Sequence, residues 1–167
     1  MATATNLPAA QTTGAVLTAA YMNDLRGAFR ILQVVNAVTT TSVSTTSATY
    51  TDTTLSASIA PQSTSSKIIV AYSQNVYSNG STTGADIQLV RNLPSANTVL
   101  QTNRDITYGT ASGTLGQFTF LYVDSPNTTS AITYKTRFNR SNGVNTIFVQ
   151  ANTTNGESNI ILMEVSA

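Results

Sequence analysis

Along most of this chain apolar residues recur at every second position in short runs, and one stretch, Gly14 to Val35, departs from that rhythm. There Tyr21, Leu25 and Phe29 recur at i, i+4 and i+8, with Met22 beside them and Thr18 as N-cap. The spacing predicts a helix near residues 18–29 within a leading segment, residues 14–30. Gly27 weakens its last turn by about 1 kcal/mol relative to Ala. A helix this short is marginal alone in water and needs a surface to lie on. Ahead of it, residues 1–13 are small and polar around Pro8, which predicts an extended arm and not a secretory signal.

From Arg30 onward the period is two. "RILQVVNAV" opens a strand, and "TTTSVSTTSATYTDTTLSASIAP" supplies two more that end at Pro61. "SSKIIVAYSQNVYS" and "ADIQLVRNL" follow, separated by the turn dipeptide Asn79-Gly80. "NTVLQTNRDITYGTASGTLG" predicts one or two short strands and a glycine-rich loop. "QFTFLYVDSP", "AITYKTRFNR", "VNTIFVQANT" and "SNIILMEVSA" are four further strands. Asn142-Gly143 and Asn155-Gly156 between the last three predict hairpins. Short strands at this spacing, with no helix between them, predict an all-β antiparallel sandwich of jelly-roll type over residues 31–167.

Two strands are apolar on both faces. Ile68, Val70 and Tyr72 alternate with Ile69 and Ala71, and Ile160 and Leu162 alternate with Ile161 and Met163. A half-solvated antiparallel strand is polar on one side. Either another element covers these strands or their outer face meets a neighbouring subunit, which predicts a homo-oligomer, with a trimer preferred.

Composition narrows the chemistry. Charged residues are 9% of the chain and the net charge is +1, far from the clustered basic charge that phosphate binding requires. No nucleic-acid partner is expected. Lys135, Arg137 and Arg140 form the densest basic group, on an alternating strand that reads as a solvated face. No apolar run approaches the roughly 18 residues of a membrane span, so no membrane partner is expected. With no His and no Cys, a Ser-His-Asp triad, an imidazole-ligated metal and a thiolate nucleophile cannot be built. Paired carboxylates remain, but the seven acids are isolated in sequence. Asp124 in "VDSP" reads as a residue at a strand end, and Asp86 and Asp105 flank loops from which they could meet across a subunit boundary. The aromatic residues sit on alternating strands, which reads as core and subunit packing before sugar stacking. No enzyme, cofactor or metal is expected.

"VLTAAYMNDLRGAFRILQVV", "STSSKIIVAYS", "FLYVDSPNTTSAITYKTRFN" and "IILMEVSA" resemble segments of structural proteins of tailed bacteriophages, cyanophages among them. In these a short helical lead precedes a Ser/Thr-rich β module. The resemblance covers about residues 14–167. It implies a trimeric, non-enzymatic particle component at the virion surface and carries over no catalytic residue. On that reading the chain is a head decoration (cement) protein, and Leu17, Tyr21, Met22, Leu25 and Phe29 dock on the major capsid protein or another virion protein. Each of these side chains is worth about 1.5–3 kcal/mol if fully buried. The same helix face could instead pack on its own sandwich or on sister helices. The alternative role is a tail fibre or receptor-binding tip whose loops touch a host surface glycan.

Overall fold

The computed structural model describes residues 31–93, 96–110, 113–150 and 156–166. The arm, the leading helix and the five docking residues Leu17, Tyr21, Met22, Leu25 and Phe29 lie outside the described residues. The strands are β1 (Ile31–Thr39), β2 (Val43–Thr45), β3 (Thr51–Ile59), β4 (Lys67–Ser78), β5 (Ala85–Leu93), β6 (Ala96–Asn103), β7 (Thr114–Asp124), β8 (Ile132–Arg140), β9 (Ile147–Val149) and β10 (Ser158–Val165). All pairings among them are antiparallel, in two sheets.

In the first sheet β4 is the backbone of the arrangement. One of its edges carries β7 along its whole length; the other carries β10 over Lys67–Ser73 and β9 over Val76–Ser78. Outside these, β1 pairs with β10 and β2 with β9. Thus β1 and β2 run end to end, as do β9 and β10, and the ten strands fill eight positions. Numbered along the chain, those positions are ordered 1-8-3-6 in the first sheet and 2-7-4-5 in the second, where β3, β8, β5 and β6 lie side by side. Sequence-distant strands therefore pair as 1 with 8, 2 with 7 and 3 with 6.

Alternation along the strands places one face of each sheet inside. Ile68, Val70, Tyr72, Ile160 and Leu162 from the first sheet meet Leu55, Ile87, Leu89, Ile132, Tyr134 and Phe138 from the second, all fully or almost fully buried. Each such side chain contributes about 1.5–3 kcal/mol relative to exposure. A polar chain crosses this core. Thr53 and Thr136 share a hydrogen bond on the second sheet, Thr136 Oγ1 donates to Gln74 Oε1 at 2.9 Å, and Gln74 Nε2 donates to Ser158 Oγ at 2.9 Å. It sits where β9 gives way to β10, and Ser158 Oγ also accepts from the Asn75 backbone N–H.

Neither hairpin expected among the last three strands is formed. Asn79-Gly80 links β4 to β5 and Asn142-Gly143 links β8 to β9, and each link passes from one sheet to the other. The two connections instead dock on each other. Asn79 N–H donates to Thr146 O, Thr146 N–H to Asn79 Oδ1, Ser141 N–H to Gly84 O, and Asn145 Nδ2 to Thr83 Oγ1. Gly143 has φ +74, and a Cβ there would lie 2.3 Å from Thr83 Oγ1 and 2.5 Å from Thr82 O. Glycine is required there by conformation and by close approach. Nor do β9 and β10 form a hairpin: both run antiparallel to β4 along the same edge.

Candidate functional site

The strands with two apolar faces are central ones, and register aligns their outer side chains with those of the flanking strands. Val34, Met163, Ile69 and Val123 form one row across the first sheet; Asn36, Ile161, Ala71 and Leu121 form the next; Val38, Asn159, Ser73 and Thr119 a third. None of these twelve residues is charged, and eight are apolar. Their exposure is high for aliphatic groups: Leu121 63%, Val34 58%, Val123 53% and Val38 50%. From the third row onward polar residues satisfy one another, with Gln117 Nε2 and Thr119 Oγ1 donating to Ser73 Oγ. Farther along, Phe148, Tyr77 and Leu115 form another apolar row, and the Tyr77 and Phe148 rings lie 5.8 Å apart. No described strand packs over this face.

The outer face of the second sheet differs in kind. Asp52 on β3 faces Lys135 and Arg137 on β8, with Lys135 Nζ at 2.9 Å and Arg137 Nε at 3.2 Å from its carboxylate. Arg137 also donates to Tyr50 O, and Ser58 and Thr133 pair beside them. Of the basic cluster anticipated on this strand, Lys135 and Arg137 share the single carboxylate of Asp52 on a partly exposed charged face. Charge is concentrated on one side of the sandwich, and apolar surface on the other.

The acids take structural positions. Asp124, the last residue of β7, turns inward and accepts from Arg91 Nη1 at 2.9 Å through both oxygens and from Tyr134 Oη at 2.7 Å. Arg91 and Tyr134 belong to the second sheet, so this cluster ties the sheets together at one end. Burial, with the Asp124 hydrogen bond second, pushes the Tyr134 phenol well above its ordinary range. Burial does the same to Tyr72. Glu164 is completely buried and accepts from Gln33 Nε2 and from the Gln62 backbone N–H. Asp86 and Asp105 meet within one chain: Asp105 N–H donates to Asp86 Oδ1 at 2.9 Å. The Asp105 carboxylate accepts from Ser141 and Asn142, and Tyr50 Oη donates to Asp86 Oδ2. Burial, then Asp86, raises the Tyr50 pKa. Among the described residues no three His, Cys, Asp or Glu side chains gather as a metal site.

No protein-family model matches the chain, and no curated protein does. Among solved structures it is similar to two of infectious bursal disease virus. For the Gx strain the identity is 14% and the TM-score 0.32, over 82% of this chain and 39% of the other. For the Gt strain the identity is 10% and the TM-score 0.33, over 81% and 41%. The chain thus spans about two-fifths of the viral chains it matches, and a likeness this distant bears on neither activity nor partner.

Most of the aromatic residues are where alternation puts them. Tyr72, Tyr134 and Phe138 are in the core, and Phe118, Phe120 and Tyr122 pack against it from β7. Tyr108, in the loop after β6, is 56% exposed. What sequence reasoning did not find is the extent of the apolar face. Leu121, Val123, Val34 and Val38 join Ile69, Ile161 and Met163 only through strand pairings that span most of the chain.

Proposed function

We propose that this protein is a non-enzymatic structural component of a tailed-phage particle, built on a jelly-roll module. On this reading it is a head decoration protein, trimeric, at the particle surface. Residues 1–30 hold it to the major capsid protein or another virion protein, with Leu17, Tyr21, Met22, Leu25 and Phe29 as the docking face. The observation that carries the reading is the uncharged apolar outer face of the first sheet, which suits a subunit made for assembly. The strand order 1-8-3-6 and 2-7-4-5 supports the jelly roll, because it results when one long antiparallel ribbon is wrapped into two sheets. The leading segment's resemblance to phage structural proteins supports the setting. Asp124, Asp86 and Glu164 are each engaged in internal contacts, which supports a structural use of the carboxylates.

Anchoring by a short helix favours several copies acting together. One docked face gives roughly 8–15 kcal/mol gross for five buried side chains, and association consumes about 4–15 kcal/mol of it. Copies held together dock with a large avidity gain. Labelling the protein on intact particles and imaging them tests the assignment: label spread over the head is the expected result, and label confined to the tail would overturn it. The second reading, a receptor-binding tip for a host glycan, is favoured by exposed Tyr108 in the loop whose Asp105 accepts from Ser141 and Asn142 of the β8–β9 connection, and tail-confined label would support it.

A further inference from the structure

We infer that the outer face of the first sheet is the surface through which copies of this chain associate, sheet against sheet. The inference rests on the self-association proposed above and names its site and its occupant, a second copy of this chain; the same face on both copies closes as a two-fold pair, so a dimer takes the place of the trimer. The rows Val34–Met163–Ile69–Val123 and Asn36–Ile161–Ala71–Leu121 are continuous from one edge of the sheet to the other. Lys67 stands beside Val165 at one end of the face, so its charge borders the apolar rows and does not interrupt them. Depletion of charge at the centre with polar groups around it is the anatomy of a protein interface.

Size decides the occupant. Four strands about 4.8 Å apart and a nine-residue edge strand rising about 3.4 Å per residue give a patch on the order of 500 Å². A helix of about 12 residues covers about 18 by 10 Å, less than half of that. A second sheet, packed at about 10 Å with its own aliphatic side chains interleaved, covers all of it. Two such faces remove on the order of 1,000 Å² from water, the lower bound of a specific interface.

The test uses the full-length chain. Sedimentation velocity across a concentration series should show a self-associated species at tens of micromolar. Leu121→Lys should weaken association at least tenfold, while Ser58→Lys, on the charged outer face, should leave it unchanged. Oxidation of Met163 in the unaltered protein supplies a readout independent of any effect of Leu121→Lys on folding. Its rate, followed by mass spectrometry, should fall several-fold as the protein is concentrated through the association range. An oligomer that survives Leu121→Lys with Met163 freely oxidised would place association elsewhere and overturn this inference alone. A protein monomeric at every concentration would overturn self-association itself. A monomer whose Met163 is already protected would assign the face to residues 14–30, which also overturns the inference.

Discussion

At the scale of single residues, the cluster of Asp124, Arg91 and Tyr134 is the contact whose loss costs most. Asp124→Ala leaves a mostly covered guanidinium without its carboxylate and a buried phenol without its acceptor. Removing one partner of such a pair costs about 3–5 kcal/mol. That should lower the melting temperature by about 6–20 °C in calorimetry. The tyrosines also set an alkaline limit. Tyr72 and Tyr134 hold their protons in the folded state above the ordinary tyrosine range. Stability is therefore full below about pH 10 and falls above it, as the unfolded chain ionises while the folded chain does not. Each group adds a slope of up to about 1.4 kcal/mol per pH unit. Urea unfolding between pH 9 and 11 should show the midpoint falling, and a midpoint that rises would contradict the assignment. None of this cluster was visible in sequence. Asp124 could be read as a strand-end acid, but Arg91 and Tyr134 reach it only because the two sheets face each other.

At the scale of elements, alternation revealed the strands and their inner faces, because a period of two and a β-branched composition are local properties. Partner choice is not local. Asn79-Gly80 and Asn142-Gly143 are local turn signals, and the chain uses both to change sheets. The short length of β9 was hidden for a related reason. "VNTIFVQANT" alternates over more residues than pair, and pairing with β4 stops after Val149. The buried polar chain was unreadable because Ser, Thr and Gln occur throughout the sequence. Its contribution can be measured. Thr136→Val keeps the shape but deprives Gln74 Oε1 of its donor, while Thr53 Oγ1 keeps its bond to the residue 136 carbonyl, and should cost about 1–3 kcal/mol. The urea midpoint should drop with the slope unchanged, and no drop would mean that the network rearranges around the loss.

At the scale of the molecule, one side of the sandwich is charged and the other apolar, and residues 1–30 precede the edge strand of the apolar sheet. Among the described residues the buried core runs from Leu55 to Leu162, with Val35 and Ala37 packed against it. A chain lacking residues 1–30 should therefore fold, melt within a few degrees of the parent and fail to bind particles stripped of the native protein. An unfolded product would mean that the leading segment belongs to the core. Two-faced apolar strands were legible in β4 and β10 from sequence alone; that they form one face, bordered by β1 and β7, was not, because register connects residues nearly the whole chain apart. The central claim is that this is a repeated structural subunit of a virus particle. Quantitative mass spectrometry of purified particles tests it most directly, with the major capsid protein as internal standard. The account predicts one or more copies per capsomer or local threefold axis; a protein absent from the particle, or present in only a few copies, would contradict it.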